Sequence, residues 1–424
     1  RLAAKSEQPN ARWTFTVLDS PVVNAFALPG GYVYVTRGLV ALANSEAELA
    51  GVIGHEIGHV TAAHSAQRQQ RAGIAQIGVF AAAVGGALLG LPSEASRAVT
   101  QTAGALGQGY VASYSRAQEF ESDKLGVRYL ARSGYDPEAQ ADFLASLQAE
   151  TTLQSRIAGR GYNPNRVDFF ASHPATAERV REAIRVAGLE DVEGGARNEE
   201  RFYEAIEGMV YGDSAEQGFV KGRRFSHPEL GFTFEAPEGF QIRNATTNVT
   251  AVGPQNAALI FDGERFSGGS MTDYVANQWA AGIAREARTG RLQNLSSTTI
   301  NGLPAATAAM PVETRDGVKV LRMTAIRKGE QVYRFTGVQP RGADSLGAQM
   351  DRAAASFREL SASEALNLKP YRIEVRQVRS GDTVASLAAL TPFDEFREER
   401  FRVLNGLGRG EGLQVGDYVK VIRD

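Results

Sequence analysis

Cysteine is absent from the 424 residues. That excludes disulfides, a thiol nucleophile and thiolate ligands, so a bound metal would have to be held by imidazole and carboxylate. The same absence leaves the compartment open. No sign of charge dominates either: 46 basic residues against 48 acidic ones give a formal net charge of −2, and no block of like charges occurs. General attraction to nucleic acid is thereby excluded, as are charged tails. The sequence opens at Arg1 without Met or an apolar leader, and the expectation is a processed or trimmed N-terminus with a signal peptide removed. Long apolar runs are scarce. The one that stands out, residues 74–91, has the length of a marginal membrane span but is mostly Ala and Gly, with Arg68 and Arg71 flanking a single end. It reads as a buried or hairpin helix, with peripheral membrane contact as the alternative to a true span. At this length two or three domains are expected.

Histidine is also sparse, with five in the chain, and three of the five fall between residues 45 and 64. His55-Glu56-Ile57-Gly58-His59 is an H-E-x-x-H pattern. Ser45 and Glu48 form a capping box before an apolar run, and Leu49, Val52, Ile53, Ile57 and Val60 recur at helical spacing, so the pattern sits on a helix. One turn apart, His55 and His59 can converge on one Zn²⁺, and Glu56 projects beside them where it can take a proton from water. Gly54 and Gly58 each cost roughly 1 kcal/mol of helix propensity, which implies a close approach to the backbone there. His64 is out of phase on a continuous helix and is not counted as a ligand.

A third ligand is needed, and Glu119-Phe120-Glu121-Ser122-Asp123 offers one. Glu119 and Asp123 share a helix face, so Glu119 can bind metal while Asp123 accepts from a ligand imidazole. Equally, the pair could be two solvated carboxylates on a surface helix. Glu121 points away. Further on, His173 precedes a helix start, with Arg179 read about two turns inside it. The metal helix is preceded by strand-like segments 13–18 and 22–28 and by 32–36, read as a hairpin leading straight into it.

From about residue 190 the composition changes. Residues 191–224 read as a linker and a helix. Residues 225–362 alternate in strand fashion and add helices near 271–286 and 343–359, giving an α+β domain with no catalytic constellation; His227 there reads as structural. Residues 371–424 read as a separate β-α-α-β unit.

The three motifs His55–His59, Glu119–Asp123 and Ser172-His173-Pro174, in this order and spacing, resemble peptidase family M48, zinc metalloproteases of the bacterial periplasmic type, over roughly residues 10–190. The resemblance implies one Zn²⁺ held by His55, His59 and Glu119, with Glu56 as general base and Asp123 orienting a ligand histidine. It further implies that His173 lies at the active site as a reversible block and that Arg179 stands near the substrate or its oxyanion. Ala62 and Ser65 depart from the metzincin pattern. Residues 371–424 resemble a LysM domain through Ser380-Gly381-Asp382-Thr383 and the closing strand, which implies binding to N-acetylglucosamine polymers such as peptidoglycan. The middle domain resembles small α/β modules of the photosystem-subunit type.

The expected molecule is therefore an α+β multidomain protein. It has a mainly helical zincin-type metalloprotease domain with a small sheet (1–190), a linker and helix (191–224), a middle α+β domain (225–362) and a LysM-like unit (371–424). The expected activity is endoproteolysis of misfolded or unassembled cell-envelope polypeptides in the bacterial periplasm, self-gated by His173. The alternative is a chaperone or scaffold for outer-membrane or cell-wall assembly. Expected partners are polypeptides, peptidoglycan or outer-membrane assembly proteins, and a membrane surface touched through 74–91; nucleic acid is not among them.

Overall fold

The computed structural model describes residues 1–67, 114–157, 173, 176–190, 195–245, 247–266, 268–314 and 317–424. The apolar stretch 74–91, and Ser172 and Pro174, lie outside the described residues. Two units emerge, one of residues 1–212 and 371–424, the other of residues 213–370.

In the first unit, β1 (Thr14–Leu18), β2 (Ala25–Leu28) and β3 (Tyr32–Thr36) form a sheet in the order β1-β3-β2. Strands β2 and β3 are the expected hairpin, and β1 runs parallel to β3. Gly30 and Gly31 turn between them at φ of 94° and 84°, a region that glycine enters without strain. The hairpin does not run straight into the metal helix. Thr36 ends β3 and its hydroxyl also accepts from Leu39 N at 3.3 Å, capping a short helix α1 (Arg37–Leu42). The metal helix α2 (Glu46–Thr61) then starts where Ser45 Oγ accepts from Glu48 N at 3.0 Å.

Helix α3 (Arg116–Arg132) opens on a capping box between Ser115 and Gln118. It is followed by α4 (Ala139–Ile157), α5 (Ala177–Ala187) and α6 (Glu199–Ile206). The end of the expected linker is anchored: Ala196 bridges to Tyr135, and Arg197 pairs with Asp136 at 2.7 Å and Asp142 at 2.8 Å. Strand β4 (Val210–Tyr211) joins β5 (Tyr371–Gln377) and β6 (Tyr418–Arg423) in a second sheet, ordered β6-β5-β4. Between β5 and β6 lie α7 (Val384–Ala388) and α8 (Arg397–Leu404), the β-α-α-β order read from the sequence. This C-terminal stretch does not stand apart, however. Ile373, Leu404 and Ile422 share one core with Leu39, Val40, Phe143, Leu144 and Leu147. Fully buried Lys420 reaches from β6 to the end of α1, donating to the carbonyls of Ala41 at 2.7 Å and Ala43 at 2.6 Å.

The second unit holds a seven-stranded antiparallel sheet, ordered 293–300, 303–314, 317–328, 331–340, 258–265, 249–252 and 241–244, and a four-stranded one of 358–359, 232–235, 224–227 and 219–221. Its helical segments at 271–286 and Asp344–Ala355 lie near the expected positions. His227 accepts from Leu230 N at 3.2 Å, a turn contact. No described helix is long and apolar enough to cross a membrane.

Candidate metal centre

Two helices approach so closely that a side chain at Gly54 or Gly58 would crowd the backbone of the facing helix. A Cβ on Gly54 would lie 3.2 Å from Gly126 Cα, and one on Gly58 would lie 3.2 Å from Ser122 Cα. The glycines that cost α2 helix propensity therefore let α3 lie almost backbone to backbone with it. Glu119 and Asp123, one turn apart on α3, are carried against His55 and His59, and all four are buried.

His55 Nε2 and His59 Nε2 stand 3.0 Å apart. Glu119 Oε1 is 3.4 Å from His59 Nε2, and its Oε2 is 3.7 Å from His55 Nε2. His173 completes the group, its Nδ1 lying 3.2 Å from His55 Nε2 and 2.9 Å from Glu119 Oε1. Each of these four residues offers a ligand atom, and the four atoms all lie within 4.8 Å of one another. Donors at the corners of a tetrahedron with metal bonds of about 2.0–2.1 Å are separated by about 3.3–3.4 Å. The observed spacings bracket that edge, so the group fits a tetrahedral ion such as zinc.

Charge points the same way. Three buried carboxylates, Glu56, Glu119 and Asp123, face one buried guanidinium, Arg179. With neutral imidazoles two negative charges remain, the complement of one divalent cation. Glu56, 1% exposed, has no hydrogen bond to either carboxylate oxygen among the described residues; His173 Nε2 approaches its Oε1 at 3.6 Å. A buried carboxylate left so is costly unless a ligand or water meets it. Burial alone would depress the His173 pKa, yet the charges of Glu119 and Glu56 outweigh it and raise it. Burial holds the His59 imidazole well below its usual range. For Glu119 burial pushes up, but His173, His59 and Arg179 together hold it well below the ordinary carboxylate range.

Asp123 accepts from His55 Nδ1 at 2.9 Å and Gln140 Nε2 at 3.3 Å. Arg179 forks onto it, Nε to Oδ2 at 2.7 Å and Nη2 to Oδ1 at 2.8 Å, while Nη1 lies 2.8 Å from Glu119 Oε2. Against the burial penalty, Arg179 and His55 bring the Asp123 pKa down to about 2. Arg179 stands in the first turn of α5, not two turns inside, because the cap is Thr176, whose Oγ1 accepts from Arg179 N at 3.2 Å. From there it braces the two carboxylates.

Two residues near the metal group were not counted from the sequence. Tyr114 stacks on His59 with ring centroids 3.8 Å apart; only its position next to the Ser115 cap hinted at it. His64 does not continue α2. The helix ends at Thr61, and Ala63, at φ 55°, turns the chain so that His64 folds back, fully buried, with Nδ1 2.9 Å from His59 Nδ1. Glu121, read as pointing away, lies with Oε2 3.2 Å from His64 Nε2.

Residues 1–186 match the model of peptidase family M48. A "putative beta-barrel assembly-enhancing protease" of Vibrio cholerae is 35% identical over 185 residues, 43% of this chain and 36% of that one. The "beta-barrel assembly-enhancing protease" of Escherichia coli strain K12 is 30% identical over 189 residues, 43% and 36% of the two chains. The "mitochondrial metalloendopeptidase OMA1" of Schizosaccharomyces pombe is 30% identical over 181 residues, 43% and 48%. The chain thus spans between a third and a half of the length of these relatives. Among solved structures, the cyanobacterial PsbP of Synechocystis aligns with 34% of this chain and 98% of its own at 16% identity and a TM-score of 0.28, too low to bear on the fold. The matched region contains the whole donor set of His55, His59, Glu119 and His173, a set suited to zinc.

Proposed function

We propose that the chain is a zinc-dependent endopeptidase acting on misfolded or unassembled cell-envelope polypeptides. The observation that carries this reading is the convergence of His55, His59, Glu119 and His173 beside a Glu56 carboxylate that no described residue hydrogen-bonds. His55, His59 and Glu119 would hold the ion, and His173 would close the fourth corner in a resting form. Bound zinc would supply Lewis acidity, making water more acidic and stabilising negative charge on the substrate carbonyl oxygen. Glu56 takes the proton from the attacking water and returns it to the leaving amine as the peptide bond breaks. Asp123 holds the His55 ring with Nδ1 as the proton-bearing nitrogen, which turns Nε2 toward the metal. Arg179 acts through Asp123 and Glu119, and His173, once displaced, would donate a hydrogen bond to a developing oxyanion.

Glu56→Gln keeps the size of the side chain and removes the base. Zinc content should stay near one per chain while casein cleavage falls by about 10²–10⁴-fold; cleavage at the parent rate would overturn the reading. A second reading, a chaperone or scaffold with little proteolysis, is favoured by the approach of His173 to the other donors. If Glu56→Gln suppresses aggregation of an unfolded outer-membrane protein as well as the parent does, and the parent cleaves nothing, that second reading stands.

A periplasmic or envelope location and a role beside outer-membrane assembly proteins are supported by the names of the bacterial relatives. Binding of the C-terminal unit to N-acetylglucosamine polymers is supported by its element order and is tested by peptidoglycan pull-down of the full chain.

A further inference from the structure

We propose that His64 and Glu121 are positioning residues for His59, forming a carboxylate–imidazole relay that fixes which nitrogen His59 presents to the metal. The inference rests on the reading that His59 binds zinc through Nε2. Each imidazole of the H-E-x-x-H pattern has its own support. His55 leans on Asp123, which is locked in the buried cluster by Arg179 and Gln140. For His59 the support is His64, whose Nδ1 lies 2.9 Å from His59 Nδ1.

Two nitrogens at that distance share one proton, and the ligand role decides where it sits. If Nε2 of His59 faces the metal, its Nδ1 carries the proton and donates to His64 Nδ1. His64 must then carry its own proton on Nε2, where Glu121 Oε2 accepts it at 3.2 Å. Ser122 Oγ, 3.3 Å from His64 Nδ1, approaches the same lone pair. The two imidazole protons of the relay each find an acceptor, and the negative end makes His59 a more basic ligand. The fold is shaped to build this relay: the left-handed residue Ala63 stops α2 and returns His64 beneath the site. Unlike Asp123, the terminal carboxylate is 60% exposed, so one ligand is braced from inside the protein and the other from its surface.

Zinc affinity, measured by competition with a chromophoric chelator, tests the relay without recourse to activity. His64→Leu should weaken zinc binding by about 10–100-fold, and Glu121→Ala by a smaller factor. The double variant should be no weaker than His64→Leu alone, because both act through one chain. His64→Gln, which keeps an acceptor, should recover part of the loss, and the d–d spectrum of the cobalt-loaded protein should shift in the two loss variants. Metal-free Glu121→Ala should melt with the parent, since the group it removes is exposed. Parent-like zinc affinity in both His64→Leu and Glu121→Ala overturns the relay. Should His64→Leu fail to fold, Glu121→Ala alone decides. A parent protein that binds no zinc would overturn the metal reading instead, which keeps the two failures distinct.

Discussion

Replacing Lys420 by Met should loosen the metal-bearing unit, although the residue lies near the C-terminus. Its Nζ meets the carbonyls of Ala41, Leu42 and Ala43 at 2.7, 3.3 and 2.6 Å, and all three residues are buried. Leu42 O also accepts from Asn44 Nδ2 at 3.1 Å, so the loss falls chiefly on Ala41 and Ala43. Hydrogen bonds from a charged donor contribute about 1.5–3 kcal/mol each. Against that stands relief of the buried ammonium, whose pKa burial pulls down while the buried Glu48 carboxyl on α2 is pushed up. Losing the bonds to Ala41 and Ala43, offset in part by that relief, should cost about 3–5 kcal/mol. For a unit of this size that corresponds to about 6–20 °C in melting temperature. Calorimetry should find that drop, and zinc should escape to a fluorescent chelator at a correspondingly lower temperature. Lys5→Met, at an exposed position, is the control and should stay within about 0.5 kcal/mol of the parent. The reasoning is refuted if zinc release keeps its parental temperature while a separate C-terminal transition moves, for then the shared core would not exist.

Other perturbations reach other parts of the argument. His173→Ala should raise casein cleavage, by about tenfold if the closed form is favoured by about 1.4 kcal/mol; a loss of cleavage in every condition would make His173 catalytic instead of a gate. Gly54→Leu would place a Cβ 3.2 Å from Gly126 Cα with a larger side chain beyond it, and the overpacking should cost about 1–3 kcal/mol and push α2 from α3; a variant with one zinc per chain and the parental melting temperature would contradict that close approach. Burial, with Glu150 nearby, raises the Tyr211 phenol to about 12. A raised folded-state pKa means stability is full below the unfolded value near 10 and drains away as pH rises through 12, so Tyr211→Phe should flatten the alkaline arm of a stability–pH curve, and an unchanged arm would count against it.

Much of this geometry follows from local periodicity. The one-turn spacing of His55 with His59 and of Glu119 with Asp123 needs only a regular helix, and Gly54 and Gly58 announced a near neighbour without naming α3. The failures come where regularity breaks or where contacts span hundreds of residues. Nothing in Ala62-Ala63 signals the left-handed residue that turns His64 off the helix axis. Spacing from His173 alone puts Arg179 too deep, because the cap is Thr176, three residues further on. Ile373, Leu404 and Ile422 have the pattern of a small module's own core, and one-dimensional spacing does not say that they pack on Leu39 and Phe143. The partner of Lys420 lies some 380 positions away, beyond any periodic signal.

Tyr211 and Tyr371 are opposite one another on adjacent antiparallel strands, as are Val210 and Arg372. The backbone therefore leaves this sheet after Tyr211 and rejoins it at Tyr371, so that residues 213–370 are an insertion between two paired positions. Recombination could exchange or delete such an insertion, splicing the cut ends with a tight loop and never re-threading the ion-binding helices.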